Sequence, residues 1–316
     1  MDTQNKKIIK AAEKAAEKAA ASAAKAAEKA AASAAKAAEK AAASAAKAAE
    51  KAAASAAKAA EADNNEEWTH VLTTNQICPD TTFPVIITTE QIKKCGKTWN
   101  GKANQFEPRL LCKMDSIEKR PAIFKQYGIY IISITNDSYL LTRSNIYHSL
   151  VYDELAPVQQ ITKNADSAVL SIGNSETSVI DNLRYSGLFE SESYLDEPIK
   201  FGSLLNGRHR CSFDTRLCDE PITVRGSQYE TDGCFESAHK ILLIEGKSGN
   251  NRSFNIRQIY YPFRSIYDHT KGKKEIMPIF INTDKAGIIH IWKFTFEDPL
   301  VMTSIKCVTY NKYTFA

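Results

Sequence analysis

The stretch QYETDGCFESAHKILLIEGKSG, residues 228–249, decides how the chain is read. With a side-chain period of two, Gln228, Glu230 and Asp232 share one face of a short strand. Leu243, Glu245 and Lys247 share one face of a second, apolar strand, ILLIEGK. Laid side by side across the turn at Gly233, the strands bring Asp232, Glu245 and Lys247 together at their ends. Two carboxylates a few ångströms apart repel unless a cation lies between them, and a hard divalent ion such as Mg2+ fills that role. A lysine beside the second carboxylate can hold and polarise a water next to such an ion. This chemistry suits metal-assisted hydrolysis of a phosphodiester. The plainer reading is an exposed Glu245–Lys247 ion pair, since E-x-K arises by chance in most chains of this size. The acid, the turn and the apolar run that lands on E-x-K favour the metal site.

Composition limits the partners. The chain has 316 residues and a formal charge of +4. Residues 1–62 contain 12 Lys and 7 acidic residues, so the remaining 254 carry 29 basic and 30 acidic residues, a net charge of −1. Any DNA-binding surface in that part must therefore come from local clustering. The seven cysteines form no C-x-x-C. His209 and Cys211 lie close in sequence without two further zinc ligands in view. An odd, unpatterned cysteine count suits reduced thiols and a cytoplasmic protein. No apolar run is long enough to span a membrane, and the N-terminus has no signal-peptide core.

Residues 17–61 repeat every eleven, with Glu at 17, 28, 39, 50 and 61 and Ser at 22, 33, 44 and 55 in a background of alanine. Alanine is the strongest helix former, so a long N-terminal helix is expected, roughly 80 Å if continuous at 1.5 Å per residue. Lys and Ser form one polar stripe along it. A semi-rigid spacer is the simpler role; packing through the small alanine face is the alternative.

DNNEE at 63–67 ends the repeat, and three regions result: the arm (1–62), an accessory or DNA-recognition region (63–185) and a catalytic region (186–316). VIITTEQIKK (85–94) reads as a strand turning into a helix. A short strand is expected to set Arg109, Lys113 and Asp115 on one face, for substrate contact or as an internal salt-bridge set, followed by a helix over about 117–126 and a buried strand GIYIISI before an Asn-Asp turn. A helix is expected to begin near Ser178, and a helical stretch to lead into Arg208, His209 and Arg210, as charge balance or a phosphate clamp. Ser253 or Asn255 should cap a helix in which Ile259, Tyr260 and Phe263 face the sheet while Arg257 and Arg264 fall on another side. Arg257 and Gln258 should point toward the metal or the phosphate. Pro262 should kink this helix. Three strands should follow, over 276–282, 286–296 and 302–310.

The D…ExK pair followed directly by NIRQIYYPFR resembles the PD-(D/E)xK nucleases, in particular a group of type II restriction endonucleases with an RQ-x-YYP-[FY]-R helix. FEPRLLCKMDSIEKRPAIF, YIISITNDSYLL and GRHRCSFDTR are also similar to that group, and the resemblance covers about 105–310. It implies an α/β fold of mixed type, a central mixed sheet flanked by helices. It implies Mg2+-dependent cleavage of double-stranded DNA at a short sequence, leaving 5′-phosphate ends. Asp232 and Glu245 would bind the metal, with Glu230 a further ligand; Lys247 would position the attacking water and Gln258 would support the site. Arg257, Arg264, Arg208, Arg210, Arg109 and Lys113 are the DNA-binding candidates. Cutting both strands favours a homodimer, and a cognate DNA methyltransferase would be expected in the same system. Gly246 stands where the family more often has Ala or Val, a change expected to matter little because that side chain points away. Two alternatives remain: a repair, junction-resolving or transposition nuclease of the same fold, and a non-catalytic DNA-binding or scaffold protein built around the arm.

Overall fold

The structure, a computed structural model, describes residues 64–100, 103–164, 167, 170 and 175–316. The alanine-rich repeat and its expected helix lie outside the described residues. The described residues belong to one compact unit.

Thr88 joins the first strand to the helix after it. Following α1 (Asn65–Thr74), the run VIIT forms β1 (Val85–Thr88) and passes straight into α2 (Thr89–Cys95). The Thr88 hydroxyl accepts from the Gln91 N–H at 3.2 Å, and Gln91 Oε1 accepts from the Thr88 N–H at 2.8 Å. This reciprocal box satisfies two otherwise orphaned donors. The strand expected around Arg109 and Lys113 is instead a short helix, α3 (Pro108–Leu111), because proline at the first helical position presets φ and gives up a donor that would be idle there. The helix expected over 117–126 is divided into a 3-10 turn, Ile117–Lys119, and α4 (Ala122–Tyr127). Pro121 holds Arg120 at ψ 133°, outside the helical region. β2 (Tyr130–Ser133) and β3 (Ser138–Thr142) then flank the Asn-Asp turn and complete a sheet of order β1-β3-β2.

The second half begins with β4 (Tyr147–Ser149), β5 (Val158–Ile161) and α5 (Glu176–Tyr185), whose cap Ser175 accepts from the Ser178 N–H. No helix precedes Arg208: Ser203 and Leu205 sit at φ 54° and 55°, which a helix cannot accommodate. β6 (His209–Leu217) and β7 (Glu220–Tyr229) form a hairpin. β8 (Gly233–Glu236), β9 (Lys240–Ser248), β10 (Ser253–Asn255), α6 (Arg257–Thr270), β11 (Glu275–Thr283), β12 (Ile289–Phe296) and β13 (Ile305–Phe315) follow. Ser253–Asn255 is thus a strand, paired with β4, and only the Asn255 side chain reaches the helix start, accepting from the Arg257 N–H at 3.1 Å.

The largest sheet is mixed, in the order β5-β13-β12-β11-β9-β8. β9 and β11 are parallel, with α6 as the crossover between them, and β8 runs antiparallel to β9. Both faces of β9 are covered, which is why ILLI reads as a continuous apolar run. Ile241 and Leu243 join Phe280, Trp292 and the α6 aromatics in one core; Leu242 and Ile244 join Ile279, Ile291 and Ile180 of α5 in the other. β5 and α5 precede residue 186 yet belong to this sheet and its second core, so the structural division does not fall at 185/186.

Trp292 is 1% exposed and donates from Nε1 to the Val151 carbonyl at 2.9 Å, tying the 150–157 segment to the sheet. Trp292→Ala should cost about 3–5 kcal/mol, read as a lower urea midpoint. Among the described residues, no helix is long and apolar enough to cross a membrane. All seven cysteines are free.

Candidate active site

Antiparallel pairing of β8 with β9 aligns Gly233 with Ile244, which sets Asp232, the residue before β8, beside Glu245. The Asp232 N–H donates to the Ile244 carbonyl at 3.1 Å, and Asp232 Oδ2 accepts from the Gly246 N–H at 2.8 Å. Glu245 and Lys247 share the face of β9 that looks toward α6. Glu245 Oε1 accepts from Lys247 Nζ at 2.6 Å and from Gln258 Nε2, on the second residue of α6, also at 2.6 Å. The sequence stretch therefore delivers Asp232, Glu245, Lys247 and Gln258 to one place.

Burial dominates the electrostatics. Glu245 is 8% exposed, and loss of hydration pushes its carboxyl up to about 8, with Asp232 and Asp115 adding to the rise and Lys247 opposing it. Burial also works against the Lys247 ammonium, but Glu245 first, then Asp232 and Glu176, hold it above its usual value. Two acids that sequence reasoning did not place here thus act on the pair. Glu176 starts α5, and its Cβ lies 3.4 Å from where a Gly246 side chain would begin. Asp115 is held nearby through its carbonyl, which accepts from the Asn255 N–H at 2.9 Å. The spacing sets Asp115 with Arg109 and Lys113 rather than with Glu245, and gives Glu176 no role; the tertiary fold brings 115 and 176 to 245.

The other candidates scatter. Glu230 lies in the link between β7 and β8, is 62% exposed at its side chain, and accepts from Arg208 Nε at 2.9 Å. Arg264 is 5% exposed, paired with Asp268 and set over the rings of Phe213 and Tyr267. This is a structural position, since the hairpin β6–β7 covers the helix side expected to be open. Arg257 is half-buried, donating to the Gln228 carbonyl and lying over Tyr261. Arg109 and Arg210 are exposed, and Lys113 lies 3.6 Å from Asp115. Pro262 sits inside α6 and withholds the i+4 donor from the Gln258 carbonyl.

A hard divalent ion fits the donors present. The acids offer only oxygen, and Gln258 Oε1 is buried beside them without a donor. Among the described residues no three His, Cys, Asp or Glu side chains could enclose a metal by themselves. That suits Mg2+, which is usually held by one or two carboxylates plus waters and substrate phosphates, better than an ion needing a full protein cage.

Gly246 is tighter than expected. A Cβ there would lie 3.3 Å from Ile180 Cδ1 and 3.7 Å from Asp232 Oδ2. Gly246→Val should cost about 1–3 kcal/mol by overpacking α5, and should displace Asp232 as well, lowering any Asp232-dependent activity. Thermal melts of the variant, with and without Mg2+, check both.

Two family models match the chain: a domain of unknown function, DUF6996, over residues 65–141, and a second, DUF6997, over residues 142–314. Asp232, Glu245, Lys247, Gln258 and Glu176 fall in the second stretch and Asp115 in the first. No curated protein and no solved structure matches the chain.

Proposed function

The chain belongs to the DUF6997 family, a domain of unknown function, and we propose that it is a Mg2+-dependent endonuclease that hydrolyses phosphodiester bonds in double-stranded DNA at a short sequence, as a type II restriction enzyme does. The observation that carries this reading is the buried Glu245 carboxylate, set beside Asp232 and hydrogen-bonded at 2.6 Å to both Lys247 and Gln258.

Each group has a task in that reaction. Bound between Asp232 and Glu245, a divalent ion would supply Lewis acidity toward a phosphoryl oxygen and lower the pKa of a water. Lys247 Nζ donates to Glu245 Oε1 and to the Gly246 carbonyl at 3.0 Å, which leaves one of its three N–H groups to hold the attacking water. Glu245, held at Oε1 by Lys247 and Gln258, would supply carboxylate oxygen to the ion. Gln258 fixes the Glu245 rotamer, and Asp232 is fixed by the Gly246 N–H. The substrate reading rests on the resemblance of the D…ExK pair and the RQIYYPFR helix, as do the proposed homodimer and partner methyltransferase.

Incubating the full chain with unmethylated phage DNA, in Mg2+ and in EDTA, tests the reading. Discrete Mg2+-dependent bands are expected. A smear or nicks alone would move the assignment to a repair or junction-resolving nuclease, and intact DNA at every condition would remove the hydrolase reading.

A further inference from the structure

Outside the large sheet, β6 and β7 form a two-stranded ribbon of their own, closed by the tight turn Cys218–Asp219. Its residues alternate. Phe213, Thr215, Val224 and Tyr229 are buried against α6; Thr215 and Tyr260 hydroxyls meet at 2.6 Å, and the Phe213 ring meets Tyr261 edge-on at 5.3 Å. Arg210, Ser212, Asp214, Arg216, Thr223 and Arg225 are all exposed on the opposite side. Both ribbon edges are pinned to the body: the Arg225 N–H donates to the Ile134 carbonyl at 2.8 Å, and the Arg216 N–H to the Leu300 carbonyl at 3.1 Å. The exposed face is therefore presented on a rigid support.

Its chemistry is specific. A surface that only tracked phosphates would be built from Lys and Arg. This one interleaves three arginines with an acid and two hydroxyls, the inventory that reads base edges: guanidinium forks for guanine, a carboxylate for the cytosine amino group, hydroxyls for either. Strands about 4.8 Å apart set these side chains close enough to share the major groove of B-DNA, about 12 Å wide. Arg225 Nη2 lies 2.8 Å from Asp214 Oδ1, and Arg216 Nη2 lies 3.3 Å from Asp298 Oδ2. Arg225 also donates to the Phe213 and Val224 carbonyls and so braces the ribbon, while the exposed Arg216–Asp298 pair is worth little and exchanging it for a base edge costs little.

Position joins the ribbon to the chemistry. β7 ends at Tyr229, three residues before Asp232, and the Gln228 carbonyl accepts from Arg257, whose neighbour Gln258 holds Glu245. A base read on this face would lie in fixed register with the carboxylates. We propose that the outer face of the β6–β7 ribbon enters the DNA major groove and reads the sequence that the site cuts; this rests on the hydrolase reading above.

The test is selection, in EDTA, of duplexes with a randomised centre by the full wild-type chain and by Arg210→Ala and Arg216→Ala, with Arg216→Lys keeping charge without the fork. The wild type is expected to enrich one motif. Each alanine variant should bind that motif about tenfold more weakly or worse and lose preference at one position, and Arg216→Lys should share that loss. Variants that keep the wild-type motif and affinity would overturn the proposal and leave the hydrolase reading standing. So would a chain that cuts DNA with its ribbon face buried in a dimer that Arg216→Glu dissolves. A wild type that neither binds nor cuts any duplex would overturn both.

Discussion

Lys247→Ala protein is expected to cleave duplex DNA at least about a hundredfold, and up to ~10⁴-fold, more slowly than the wild type in Mg2+, with DNA affinity little changed. Two losses combine. The N–H left over after Nζ has bonded Glu245 and the Gly246 carbonyl no longer holds water. The carboxyl of Glu245 also loses the Lys247 ammonium that opposes its burial, so its pKa rises further and it is a poorer metal ligand. Single-turnover cleavage with a parallel binding titration separates these effects from weakened association. A variant that cut at the wild-type rate would remove Lys247 from the mechanism.

The second large effect is on stability. Glu245 has a folded-state pKa of about 8 against 4.5 when unhindered, so the folded state binds its proton more tightly than the unfolded state does. Its contribution is fully present below about pH 4.5 and is lost as pH rises through about 8. At about 1.36 kcal/mol per pH unit the loss is on the order of several kcal/mol. In EDTA the wild-type melting temperature should therefore fall, relative to Glu245→Gln, between pH 5 and 8, by about 2–4 °C for each kcal/mol. Glu245→Gln keeps an acceptor for Lys247 and Gln258 but has no proton to lose. Adding Mg2+ at pH 8 should raise the wild type and leave the variant nearly unchanged, because a ligand that binds only the folded state stabilises it. Parallel melting curves for the two proteins, with no Mg2+ effect, would mean that the Glu245 pocket does not serve a cation.

The heart of this site was legible because its parts are local. Asp232, Glu245 and Lys247 lie within sixteen residues: Asp232 directly precedes β8, whose link to β9 falls at 237–239 and not at Gly233 as expected, and alternation along β9 puts Glu245 and Lys247 on one face. Gln258 followed from the helix right after. β9, α6 and the three C-terminal strands were legible for the same reason: long apolar runs and helical spacing survive tertiary packing. What failed depended on distant contacts or on single residues. Arg264 sits on a helix side that looks open in sequence, and only the return of β6–β7 over α6 buries it. Glu230 has the right alternation for Asp232, but the strand ends at Tyr229, so alternation no longer governs it. Pro108 and Pro121 rearranged the segment around Arg109 through backbone restrictions that a hydrophobic pattern does not register. Asp115 and Glu176 reach the site only through the assembled fold.

The most direct measurement starts cleavage of one duplex with Mg2+, using the wild-type chain and Asp232→Asn side by side at equal DNA occupancy. The hydrolase reading predicts complete cleavage by the wild type, 5′-phosphate ends, and no product from the variant. Equal cleavage by both proteins, or none by the wild type on any duplex, would contradict it.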